Sequence, residues 1–186
     1  MTPAGTLAEV TSLRGLPRGR GSLPPREVAR AHRDRILRAM TSAVAELGYG
    51  SVRIADVVDR ARVSRQSFYA QFADKQECFL AAHQRGIELI LDQLGEAAAR
   101  HSGEDPPAQL RAAIRTYLRM TAEEPEFAHC MLVELQAIGP PGLRARLEAH
   151  EQIAVLLASW HAQARQAQPT CPPVPESRYR SAVGAV

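Results

Sequence analysis

The sequence predicts an all-α protein: an N-terminal three-helix domain holding a helix-turn-helix, followed by a C-terminal helical bundle. Three observations lead there. Hydrophobic residues fill 45% of the 186 positions while aromatics fill only 5%, so Ala, Leu and Val must build the core. That composition suits helices better than a sandwich of strands. Apolar residues recur every three or four positions from about Glu27 onward, and no segment carries a strand signal. The length suits one large or two small domains and allows a substantial core.

Residues 1–25 are rich in Gly, Pro and Arg, including Arg14, Arg18 and Arg20. This composition predicts a disordered basic leader. Such an arm can reach into a minor groove, but a plain flexible tail, or a start codon assigned too early, is the commoner case. The first helix is expected from about Glu27 to Leu47. Ile36, Leu37, Met40, Val44 and Leu47 form its apolar stripe, and Gly48 is its stop.

Residues 48–80 carry the functional signal. Ile54-Ala55-Asp56-Val57-Val58 reads as a short helix, Ala61-Arg62-Val63 as a tight turn, and Ser64 as the N-cap of a second short helix. At 100° per residue, Phe68 and Phe72 fall about 40° apart on one face. Gln66, Ser67 and Ala70 fall on the opposite face, with Tyr69 and Gln71 on the flanks. Two aromatics thus anchor the helix, and small or amide side chains face outward. That outward set suits a major groove: Gln pairs with adenine, Ser bonds either base type, and Ala touches a thymine methyl. Asp74 and Glu77 have the spacing of a capping box that opens a long helix. Lys75 projects from the start of that helix, where backbone N–H groups also favour phosphate.

The ordered string Val63-Ser64-Arg65-x-x-Phe68-Tyr69-x-x-Phe72-x-x-Lys75, within residues 33–80, resembles the N-terminal domain of the TetR family of bacterial transcriptional regulators. The resemblance implies that Phe68 and Phe72 are core and that Tyr69 and Lys75 hold phosphates. It also implies that Arg65, Gln66, Ser67 and Gln71 lie at or near bases. Two departures stand out. Arg62 occupies a turn position where the family carries Gly, which makes a left-handed residue costlier there. Arg53 stands where the family has Ser or Thr. It forfeits a capping hydroxyl, which Ser51 could replace, and gains a cation for phosphate. The DNA-contacting set expected from residues and resemblance together is Arg53, Ser64, Arg65, Gln66, Ser67, Tyr69, Gln71 and Lys75.

Beyond Asp74, the long helix is expected to reach about Arg100, with Phe79, Leu80, Ile87, Leu91 and Leu94 along one stripe. His101–Pro107 breaks the chain, and Asp105-Pro106 reads as N-cap and first residue of the next helix. That helix carries Leu110, Ile114, Tyr117, Leu118 and Met120. Another is expected from Glu124 to about Ile138, ended by Gly139-Pro140-Pro141-Gly142. A last long helix runs from about Leu143 to Arg165, and Gln168–Pro175 is a Pro-rich loop. Residues 176–186 begin like a helix and then stop on an apolar run with no recognised cap. Family members continue through that helix as part of a dimer interface, so the end is either truncated or a shortened interface.

The domains expected are therefore the leader at 1–25, a helix-turn-helix domain at 26–75, and a ligand-binding and dimerisation domain at 76–186. The charge follows this division. Residues 1–72 carry a net +6 and residues 73–186 a net −3, which suits DNA at one end. Lys75 is the only lysine among the 23 basic residues. Three cysteines, with no signal-peptide pattern and no apolar run long enough for a membrane, point to a reduced cytoplasmic protein.

No phosphate loop, nucleophile elbow or zinc spacing is present. No catalytic residue, metal or cofactor is therefore expected, and the chain is not read as an enzyme. The family's second domain holds a small-molecule pocket. Tyr117, Met120, Phe127, Met131 and Trp160 are candidates for lining it, with plain core packing the commoner fate of such residues. The expected function is a homodimeric, DNA-binding transcriptional regulator. It would act as a repressor on a palindromic operator and be released by an unknown small-molecule effector. The alternative is an effector-independent DNA-binding protein whose C-terminal half only dimerises.

Overall fold

A computed structural model describes residues 24–100 and 106–184. Among these residues there are eight α-helices, one 3-10 helix and no strand. The expected leader (apart from residues 24 and 25), the Asp105 cap and the final Ala185-Val186 lie outside the described residues. The helices are α1 (Pro25–Leu47), α2 (Ile54–Ala61), α3 (Arg65–Tyr69), α4 (Lys75–Arg100), α5 (Pro106–Glu123), α6 (Pro125–Leu132), α7 (Pro140–Ala167) and α8 (Glu176–Ala182). The 3-10 helix, Glu134–Ile138, lies between α6 and α7.

The chain divides into two compact units. The first comprises the described residues up to Arg85 together with Glu124–Gly139. Pro25 opens α1, because a proline in the first turn forfeits only an N–H that has no helical partner. Gly48 closes it at φ +75°, donating its N–H to Val44. Ile36, Met40 and Val44 are fully buried with Val57 of α2, Phe68, and Cys78 and Phe79 of α4. Leu47, expected in this core, is the last residue of α1 and stays 40% exposed. Arg60 of α2 pairs with Glu46 of α1 and also reaches Ser42 at 3.5 Å.

The division by packing differs from the boundary expected at residue 75. The start of α4 belongs with the first unit because Cys78, Phe79 and Ala82 complete its core. Residues 124–139 join it because α6 packs along α1, where the Cys130 thiol donates to the Thr41 carbonyl at 3.3 Å. The helix expected from Glu124 to Ile138 is also corrected. It breaks at Val133, and the backbone tightens into the 3-10 turn. Leu135 and Ile138 of that turn are buried, so the break turns two apolar side chains inward.

The second unit comprises residues 86–123 and 140–184 so far as described. Pro140-Pro141-Gly142 does not merely end the preceding element; it forms the first turn of α7, again with proline where no N–H is needed. Its buried side chains are Ile87, Ile90 and Leu94 of α4, Met120 of α5, and many alanines, including Ala113, Ala149, Ala154 and Ala164. Helix α8 packs on α7 through a two-pronged contact from Arg180 to Glu151, at 2.8 and 3.0 Å. Gly184 follows α8 at φ +82°, the left-handed geometry that stops a helix. It is a stop signal that reading the sequence for polar caps overlooked.

Candidate DNA-binding site

The site is built on α2, the turn after it, and α3. Helix α2 begins without the capping hydroxyl lost at Arg53. Asp56 supplies the cap in its place, its carboxylate accepting the Arg53 N–H at 2.8 Å; Ser51 does not. The carboxylate also complements the positive end of the helix. At the other end Arg62 adopts φ 52°, ψ 49°, the only non-glycine residue at positive φ among those described. The left-handed turn expected at this position is therefore made by an arginine. The Val63 N–H donates back to Val58 and completes the turn.

Ser64 caps α3 as expected, accepting the Ser67 N–H at 3.0 Å. Its hydroxyl also lies 2.9 Å from that of Ser67, so the two side chains share one hydrogen bond. The facing derived from periodicity is observed for Phe68, Phe72, Gln66 and Ala70, whereas Ser67, expected outward, is half-buried and Tyr69, expected on a flank, is exposed. Phe68 and Phe72 are buried, their ring centroids 5.7 Å apart, while Arg65, Gln66, Tyr69 and Ala70 are exposed. Ser67 and Gln71 are half-buried on the edges of that surface. Arg33 of α1 lies 4.6 Å above the Phe72 ring, closing the far side of the aromatic pair.

Lys75 differs from its expected position. It does not extend freely from the start of α4. Its ammonium donates to the carbonyls of Tyr49 and Val52, at 2.7 and 3.0 Å, and lies 4.3 Å over the Tyr49 ring. The other face of the contact is Phe79, whose ring centroid is 5.1 Å from that of Tyr49. Burial and the nearby Asp74 carboxylate push the Tyr49 phenol up, so it stays neutral. Asp74 caps α4 by accepting the Glu77 N–H at 2.8 Å. Glu77 reaches back one residue further than a standard capping box, to the Ala73 N–H at 2.6 Å.

Reading the sequence missed Glu134. Its carboxylate accepts the Tyr49 N–H at 2.7 Å and lies 3.3 Å from His129. Nothing local could have signalled a pairing across 85 residues. Tyr49 is thus held at its N–H by Glu134 and at its carbonyl by Lys75, and the 48–52 loop before α2 is fastened from both sides.

The five candidate pocket residues divide between the units. Phe127 and Met131 belong to the first and Tyr117, Met120 and Trp160 to the second. In the first unit, Phe127 and Met131 line a shallow depression with Thr41, Phe79, Ala82, His83 and Cys130. His83 is 5% exposed and its Nε2 has no partner. Burial pulls its pKa down to about 4, so the ring is neutral. Among the described residues no cluster of three potential metal ligands occurs, and no helix is long and apolar enough to cross a membrane.

Residues 36–82, which hold the capped turn and the two-faced α3, match the profile of bacterial regulatory proteins of the tetR family. This stretch of the chain is similar to the N-terminal domain of that family of transcriptional regulators. Two curated relatives are 30% identical over about half of this chain. One is the helix-turn-helix transcriptional activator FasR of Mycolicibacterium smegmatis, over 98 residues, 53% of this chain and 42% of that protein. The other is the helix-turn-helix transcriptional regulator BetI of Stenotrophomonas maltophilia, over 95 residues, 50% of this chain and 46% of that protein. The chain therefore spans less than half the length of the curated relatives it matches. The TetR-like fold extends further than the sequence match. FadR of Bacillus subtilis, solved with stearoyl-CoA, superposes with a TM-score of 0.70 at 15% identity, covering 81% of this chain and 80% of that one. FadR of Bacillus halodurans superposes at 0.72 and 16% identity, covering 87% and 79%. The family and these relatives are transcriptional regulators rather than enzymes.

Proposed function

We propose that this TetR-family regulator is a cytoplasmic, homodimeric repressor. It binds a palindromic operator through one α3 per protomer and is released by a small molecule bound in its C-terminal half. The observation that supports the DNA part is the division of α3: two buried aromatics on one side, and Arg65, Gln66, Tyr69 and Ala70 exposed on the other. A helix so anchored can lie in a major groove at close range. In this reading Gln66, Ser67, Arg65 and Gln71 reach bases, while Arg53, Ser64 and Tyr69 meet phosphates. Lys75 has one ammonium hydrogen left for a phosphate after its two carbonyl contacts.

Binding to an inverted repeat beside its own gene, measured across a salt series, tests this reading. Gln66→Ala should cost about 1–3 kcal/mol on the operator and little on random DNA. Lys75→Ala should weaken both alike and reduce the salt slope by about one unit. Equal losses on both DNAs for Gln66→Ala overturn its role as a base reader.

The dimer is supported by an uncovered apolar strip. Leu143, Leu147, Glu151 and His161 share one face of α7 at helical spacing. Helix α8 covers the later part of that face, while Leu143 and Leu147 at its start stay 57% and 49% exposed. A second copy burying that strip satisfies both the apolar surface and the two-fold symmetry of a palindrome. Sedimentation at micromolar concentration checks it; a strict monomer that still binds a palindrome tightly overturns the dimer. For the effector, the stearoyl-CoA bound by Bacillus subtilis FadR makes long-chain acyl-CoA the first probe. Tyr117, Met120, Phe127, Met131 and Trp160 are the side chains to scan. Operator binding indifferent to every such ligand favours the effector-independent reading.

A further inference from the structure

We propose that Cys171 is a covalent modification site for soft electrophiles of the α,β-unsaturated carbonyl class, with His161 as the base that activates it. The three cysteines sit in different surroundings. Cys78 and Cys130 are buried, and burial pushes both thiols up, Cys130 to about 12. Buried, protonated thiols are inert. Cys171 lies in the exposed 168–175 loop between α7 and α8 and is itself partly exposed. Its Sγ is 3.4 Å from His161 Nε2. The other ring nitrogen, Nδ1, is 2.6 Å from the Tyr179 hydroxyl on α8. Arg165 of α7 donates to the Cys171 carbonyl at 3.3 Å, holding the loop over the ring.

Nucleophile, base and a third group that orients the base thus stand in line. With the ring hydrogen on Nδ1 and directed at the Tyr179 oxygen, Nε2 presents its lone pair to the thiol. The thiol proton passes to Nε2 and the sulfur pair attacks the β-carbon of the electrophile. An S–C bond forms, the C=C π pair moves to the carbonyl as an enolate, and the imidazolium returns its proton to that enolate. The product is a thioether beside a neutral imidazole. No oxidant, reductant or leaving group is needed.

Cys171 and Tyr179 meet the same ring, so an adduct on the sulfur adds bulk where α8 docks on α7. A modified Cys171 therefore loosens α8, and the chain carries a chemical trigger on its C-terminal element. The reactivity does not depend on DNA binding, so the labelling test stands or falls apart from the regulatory reading.

The experiment is mass-mapped labelling of the full chain with N-ethylmaleimide at pH 7, followed by hydrogen exchange on the product. Cys171 should label first, with Cys78 and Cys130 protected. His161→Gln should slow Cys171 by about a hundredfold, the low end of what a lost general base costs. Tyr179→Phe, which keeps the ring and removes only the hydroxyl, should slow it several-fold with α8 amides still protected. Exchange in α8 should rise at least tenfold in the adduct. Unchanged Cys171 rates in Tyr179→Phe, or Cys78 and Cys130 labelling as fast as Cys171, overturn the proposal. A rise in rate for His161→Gln with α8 still protected overturns it equally.

Discussion

The carboxylate of Glu134 holds the backbone N–H of Tyr49 at 2.7 Å, joining the 3-10 turn after α6 to the loop that leads into the helix-turn-helix. Lys75 holds the carbonyl of the same residue. Gly48, at φ +75°, lets the chain leave α1 in a left-handed conformation that a side chain would strain, while a Cβ there would meet the Glu134 oxygens only at ordinary contact distance. A segment far along the sequence therefore fastens the loop that leads into α2.

Glu134→Ala should cost about 1–3 kcal/mol of stability, because the Tyr49 N–H loses a charged acceptor. Urea denaturation measures the loss. Glu134→Gln keeps an acceptor oxygen and should recover part of it. Equal stability of Glu134→Ala and wild type would show that the contact contributes nothing net.

Phe72→Ala should cost about 3–5 kcal/mol, the usual range for removing a buried phenyl ring. Phe72 is 2% exposed against Phe68 and beneath the Arg33 guanidinium. Thermal unfolding reads this. A variant that kept its Tm and lost only DNA affinity would contradict the facing of α3.

Arg62→Gly should raise stability by about 1 kcal/mol. A left-handed L-residue costs roughly 1–2 kcal/mol, offset in part by the extra freedom glycine adds to the unfolded chain. Arg62 is exposed and at φ 52°, so little packing is lost. Denaturant midpoints compare the two; a lower midpoint for the glycine variant refutes the strain.

His83 should make the fold acid-sensitive. The folded ring titrates at about 4, the unfolded one near the ordinary 6.5. Below 6.5 the unfolded chain takes up a proton that the folded one refuses. Stability is thus full above pH 6.5, falls between 6.5 and about 4, and levels off below. The loss is on the order of 3 kcal/mol from this group. His83→Leu should flatten that part of the profile and spare the orphaned Nε2. Parallel pH profiles for wild type and variant would exclude the effect.

Much of the site was legible because its determinants are local. The Ser64 cap, the Phe68–Phe72 spacing, the left-handed turn at Arg62 and the Gly48 stop each rest on contacts within about one helical turn, and periodicity and cap chemistry report those. The sequence by itself thus determined the all-α class, the helix order, the two faces of α3 and the resemblance of residues 36–82 to the tetR-type domain. Only the tertiary structure decided that Lys75 turns inward to two carbonyls and that Glu134 reaches Tyr49. It alone showed that residues 124–139 complete the first unit and that His161 meets both Cys171 and Tyr179. The physical reason is range. A carboxylate or an ammonium accepts whichever partner packing delivers, and no period or spacing along the chain records which one that is.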